Sequence, residues 1–142
     1  METQSLLFLK NKIKERINAI NERRIYYRKI AFWTYLSITV LAASSTIILG
    51  LNLKNFSEHL RIAALILSGL ISILSGYNSF FDNKQMWIAN NNALNEFYKL
   101  SFDIEFAETN LSVDEVIVEK FKNDYQSILD KLNSVWTSSR LK

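Results

Sequence analysis

Two long stretches of this chain contain no charged residue, Ile30–Leu53 and Ile62–Phe81, and they are joined by Lys54-Asn55-Phe56-Ser57-Glu58-His59-Leu60-Arg61. A bilayer's hydrocarbon core is roughly 30 Å thick, and about 20 helical residues rising about 1.5 Å each cross it. Either stretch is long enough. The connector is too short for a soluble domain, so the second stretch must turn straight back. The pattern predicts a transmembrane helical hairpin over 30–81, with spans at 30–53 and 62–81 and a short outer loop at 54–61. The competing arrangement is a pair of buried core helices. Core helices of a small soluble domain seldom stay uncharged over such a length, because one face normally meets water.

The remaining chain is polar, which is why the mean hydropathy of the whole is only +0.01. Among 142 residues there are no prolines and three glycines, Gly50, Gly69 and Gly76, all inside or at the end of the apolar stretches. A β fold rich in hairpins needs turn residues that are missing here. The fold class expected is an all-α membrane protein, in which N- and C-terminal cytoplasmic helices form a bundle beside the hairpin.

Residues 1–29 are charged throughout and do not read as a cleaved signal peptide. Leu6, Leu9, Ile13, Ile17 and Ile20 recur at steps of three and four and stripe one side of a helix. Lys10, Lys12, Lys14, Arg16, Arg23, Arg24, Arg28 and Lys29 are assigned to the other side, against Glu15 and Glu22. Such a basic amphipathic helix either lies on anionic headgroups or packs in a bundle with its charges solvated. The helix–helix spacing of its stripe favours the bundle. It does not single out nucleic acid, because membrane topology demands basic residues as well.

Positive residues near spans stay on the cytoplasmic side. Eight precede the first span, with Arg23, Arg24, Arg28 and Lys29 nearest it, whereas the connector holds only Lys54 and Arg61 beside Glu58. Both termini are therefore expected inside. Tyr26, Tyr27, Trp33 and Tyr35 cluster at the same end of the hairpin as Tyr77, Phe80, Phe81 and Trp87, where aromatic belts form.

From Asp82 the chain turns polar without an evident breaker, so the second span is expected to run on as one long helix, with Leu94, Phe97, Leu100 and Ile104 on one face. A break is expected near 109–112. Ser112-Val113-Asp114-Glu115 has the form of a capping box, and a last helix follows with Val113, Ile117, Phe121, Tyr125, Ile128, Leu132 and Val135 on its stripe. Residues 82–142 hold ten acidic and seven basic side chains, so they complement the basic first helix. Exposed pairs of this kind contribute roughly 0–1 kcal/mol each, and the apolar stripes must supply the stability.

Catalysis is not indicated. Cysteine is absent and His59 is the only histidine, which removes thiolate chemistry, the Ser-His-Asp triad and multi-histidine metal sites. There is no glycine-rich phosphate loop, and no catalytic residue, cofactor or metal is expected. A lone loop imidazole such as His59 has no evident partner for pH sensing.

The spans are more informative. Ser68, Ser72, Ser75 and Ser79 recur at steps of four, three and four, with Gly69 and Gly76 one position beside them. Thr39, Ala43, Thr46 and Gly50 form a similar stripe in the first span, with Ser44 and Ser45 adjacent. Small and hydroxylated stripes let helices approach closely and hydrogen-bond across the contact. They either weld the hairpin together, or meet other subunits and line a water-filled path in a homo-oligomer. In the second case Asn78 is the candidate constriction. The absence of charge within either span argues against an ion-coupled transporter.

The layout resembles the SLATT family of bacterial two-transmembrane effectors. The stretches that carry the likeness are Arg23-Arg24-Ile25-Tyr26-Tyr27-Arg28-Lys29-Ile30-Ala31-Phe32-Trp33, entering the first span, and Trp87-Ile88-Ala89-Asn90-Asn91-Asn92-Ala93-Leu94-Asn95-Glu96-Phe97-Tyr98-Lys99-Leu100, leaving the second. The resemblance implies a multi-pass protein of the bacterial inner membrane, acting in conflict systems such as antiphage defence. On activation it would assemble into a pore or disrupt the membrane. It also implies a partner protein, such as a nucleotide-second-messenger sensor or synthase, or a reverse transcriptase. The alternative function is a non-conducting anchor that scaffolds a partner enzyme.

Overall fold

The computed structural model describes residues 4–50, 57–110 and 113–139, and among them every regular element is helical. Four helices follow in order: α1 (Gln4–Gly50), α2 (Ser57–Phe81), α3 (Asn83–Asn110) and α4 (Glu115–Ser138). The chain divides into two compact units, Met1–Tyr27 with Lys84–Lys142, and Arg28–Asn83.

In the first unit the N-terminal part of α1 packs with α3 and α4 as a three-helix bundle. Leu6, Leu9, Ile13 and Ile20 of α1 meet Leu94, Phe97, Leu100 and Ile104 of α3 and Val118, Phe121, Tyr125 and Ile128 of α4 in one buried cluster. Ile17, Val113, Ile117 and Leu132 are partly buried against it. Three- and four-residue spacing stacks such side chains on one face of each helix, so each apolar stripe becomes a wall of the core. Val118, one position from the expected α4 stripe, is buried with it.

Polar contacts fix the directions. Lys10 and Glu108 approach to 3.0 Å, and Arg24 Nη1 donates to Asn91 Oδ1 at 3.4 Å, so α1 and α3 are antiparallel. Lys131 Nζ lies 2.8 Å from Glu96 Oε2 and Ser139 Oγ lies 3.5 Å from Met86 Sδ, which makes α4 antiparallel to α3 as well. These bonds correct one expectation. Lys10, Arg16 and Arg24 do not sit on a face opposite the core but flank it and reach the neighbouring helices, because long basic side chains lay their stems along apolar surface.

Three helix boundaries differ from the expected ones. The second span does not run unbroken into α3: Asp82 takes a left-handed backbone, φ 40°, and its N–H bonds Asn78 O at 3.0 Å. Aspartate tolerates this region better than most side chains, so an Asp-Asn pair suffices to end a helix without glycine or proline. The expected loop 54–61 is helical from Ser57 onward, which places Glu58, His59, Leu60 and Arg61 in α2; Leu51–Leu53 and Lys54–Phe56 lie outside the described residues. At α4 the N-cap is Asp114, whose carboxylate accepts from Ile117 N at 2.9 Å. Ser112, the expected cap, lies outside the described residues.

Candidate functional site

In the second unit, Arg28–Asn83, the uncharged part of α1 packs on α2. Residues turned inward on α2 are Leu60, Ala64, Leu67, Ile71, Leu74 and Asn78, all buried or half-buried. Their steps of four and three describe one stripe along the helix. On α1 the inward set is Ala31, Thr34, Ile38, Leu41, Ser45 and Ile48. Ala31, Ser45 and Ala64 are the buried small residues of this unit, and small side chains let two helices approach closely.

Hardly any other part of this unit is covered. Both helices are long and apolar enough to cross a membrane, and only 6% of the most apolar window of each is buried within the chain. Ile62, Ile66, Leu70, Ile73, Tyr77 and Phe80 form an outer sector of large side chains, with Ile73 at 70% exposure. A helix buried in the core of a soluble unit shows the reverse.

The serine stripe of α2 belongs to neither sector. Ser68, Ser72, Ser75 and Ser79 are exposed, and their stripe lies about 100° around the helix from the inward one, at 3.6 residues per turn. A side chain added at Gly69 or Gly76 would meet nothing within 4 Å. The expectation that these residues weld the hairpin therefore fails for α2: Leu60, Ala64, Leu67, Ile71 and Leu74 make that contact. In α1, Thr39, Ala43, Thr46 and Gly50 are exposed too, whereas the adjacent Ser44 is half-buried and Ser45 buried.

Three of these hydroxyls bond their own helix. Thr39 Oγ1 donates to Tyr35 O at 2.8 Å, Thr46 Oγ1 to Ala42 O at 3.0 Å, and Ser72 Oγ to Ser68 O at 3.0 Å. Such back-bonding to the fourth preceding carbonyl satisfies a hydroxyl without water. Asn78 does not share the serine stripe. It is half-buried on the inward stripe, and its Oδ1 is buried without a hydrogen-bond partner, so it faces α1 rather than an outer path.

The expected basic flank is divided. Arg24 is tied to Asn91, Arg23 borders a cavity of the bundle, and Arg28 and Lys29 are exposed in the second unit. Among the described residues no group of three His, Cys, Asp or Glu side chains is placed to hold a metal ion. No family model matches the sequence, no curated protein is significantly similar to it, and no solved structure matches its fold.

Proposed function

We propose that this chain is a membrane effector whose hairpin 30–81 spans the bacterial inner membrane with both termini in the cytoplasm, and whose α2 serine–glycine face joins copies of the chain into a pore or membrane-disrupting assembly. The observation that carries the reading is the exposed small-residue face, Ser68, Gly69, Ser72, Ser75, Gly76 and Ser79, left unused by the hairpin. Lipid gains nothing from hydroxyls, whereas another helix gains close approach and cross-helix bonds from them. The 6% burial of each apolar window supports lipid as the solvent of the hairpin. The excess of basic residues before the first span supports a cytoplasmic N-terminus. The likeness to SLATT effectors supports a role in a bacterial conflict or antiphage system, with activation by a partner protein such as a nucleotide-messenger sensor or synthase, or a reverse transcriptase.

Expression with the activating partner is expected to depolarise the cell membrane and arrest growth, and Ser72→Leu to prevent both. Unchanged membrane potential at confirmed membrane expression would overturn the reading. One observation favours a second reading, a non-conducting anchor for a helical scaffold: the hydroxyls of Thr39, Thr46 and Ser72 are already satisfied within their own helices and need no water. Under it, replacing both spans by unrelated apolar helices leaves activity intact.

A further inference from the structure

At one end of the three-helix bundle lies a cavity of about 540 Å³, bordered by Glu22, Arg23, Tyr26 and Tyr27 of α1, Asn90 of α3 and Trp136 of α4. Its volume falls within the roughly 300–1,000 Å³ of small-ligand sites. The wall is aromatic: Tyr26 and Tyr27 meet edge-on with centroids 5.5 Å apart, and Trp136 adds a third ring. Glu22 and Arg23 are exposed at this wall and form no ion pair among the described residues. Asn90 is 2% exposed. Its Nδ2 donates to Met86 O at 2.7 Å, while its Oδ1 is buried without a partner.

This set of groups selects against ligands of a single charge. An anion alone meets Arg23 favourably but also the Glu22 carboxylate. A cation alone is favoured by Glu22 and the ring faces but repelled by Arg23. A short zwitterion satisfies both, with its phosphate on Arg23 and its ammonium near Glu22 and the rings. Position adds the source. Tyr27 precedes the uncharged run at Ile30 by three residues. The cavity's α1 residues therefore lie about 5–12 Å along the helix from the run's start, near the headgroup layer that flanks the hydrocarbon by roughly 5–7 Å a side.

We propose that this cavity holds the phosphate-and-ammonium headgroup of a zwitterionic phospholipid such as phosphatidylethanolamine. The proposal rests on the reading of 30–81 as a membrane hairpin, and is independent of whether the assembly conducts.

The test is native mass spectrometry of the full chain in detergent, offered phosphatidylethanolamine or phosphatidylglycerol. Phosphatidylethanolamine should be retained about tenfold better. Glu22→Gln and Arg23→Gln should each abolish that preference, Arg23→Lys should keep it, and none should shift the thermal midpoint, since both side chains are exposed. Soluble phosphoethanolamine is the second arm. Displacement of the lipid by it shows that the zwitterion itself is read, and failure to displace it at high excess ties recognition to the lipid. Either result supports the site. Equal retention of the two lipids, or a preference unmoved by Glu22→Gln and Arg23→Gln, overturns the headgroup site while leaving the hairpin standing. A chain that stays dissolved without detergent overturns both.

Discussion

Arg16 of α1 donates from Nε to the hydroxyl of Tyr125 on α4 at 3.3 Å. The Tyr125 ring meets Phe97 of α3 edge-on at the same time, with centroids 5.6 Å apart. One side chain thus ties all three helices of the bundle. Its two ends differ in energetic weight. The hydrogen bond to an exposed arginine is worth about 0.5–1.5 kcal/mol net, whereas burying a large aromatic side chain is worth several.

Tyr125→Phe is therefore expected to destabilise the bundle by about 1 kcal/mol, and Phe97→Ala, which empties a fully buried site, by about 3–5 kcal/mol. Unfolding of the detergent-solubilised protein, followed by tryptophan fluorescence, measures both. Equal losses from the two would show that the hydroxyl bond, not packing, holds the helices together.

Asp114 closes the first turn of α4 through Ile117 N. Asp114→Ala should cost about 1 kcal/mol, and Asp114→Asn or Asp114→Ser much less, because both keep a capping oxygen. Hydrogen exchange at Ile117 reports the cap directly: its amide should exchange faster in Asp114→Ala alone.

The left-handed backbone at Asp82 carries strain that glycine does not. Asp82→Val should destabilise by about 1–2 kcal/mol, since β-branched residues are poorest there, while Asp82→Asn should be nearly neutral. Thermal midpoints of the three proteins decide the point. A neutral valine would mean that α2 and α3 tolerate a continuous helix.

The two stripes of α2 should respond differently to the same side chain. Ala64 is 3% exposed at the hairpin contact, so Ala64→Leu overpacks it at a cost of about 1–3 kcal/mol. Ser72 faces open space, so Ser72→Leu should leave the hairpin's stability unchanged and lower the mass of the detergent-extracted assembly to that of single chains. Loss of stability without loss of assembly in Ser72→Leu would place the serines inside the hairpin after all.

Where polar and apolar residues contrast, the chain's architecture is legible in its sequence. Leu6, Leu9, Ile13 and Ile20, like Leu94, Phe97, Leu100 and Ile104, alternate with charges, and their spacing picks out the buried faces of the bundle. Within α2 that contrast vanishes. Leu60, Ala64, Leu67, Ile71 and Leu74 run at the same steps as Ser68, Ser72, Ser75 and Ser79, and periodicity alone does not say which stripe meets α1. Asp82 ends a helix through a tolerance of aspartate that composition barely signals, although the Asp-Asn pair was there to be read. The cavity beside Tyr26 was hidden for a different reason: its wall is assembled from α1, α3 and α4, and no local spacing records such a meeting.

Because the chain contains no cysteine, single thiols report topology without background. His59 is exposed in the first turn of α2, and Ser138 ends α4. In intact cells, a membrane-impermeant maleimide is expected to label His59→Cys and to leave Ser138→Cys unlabelled until the cells are opened. Labelling of His59→Cys only after lysis, or a purified chain that stays folded and dissolved without detergent, would contradict a hairpin crossing the bilayer.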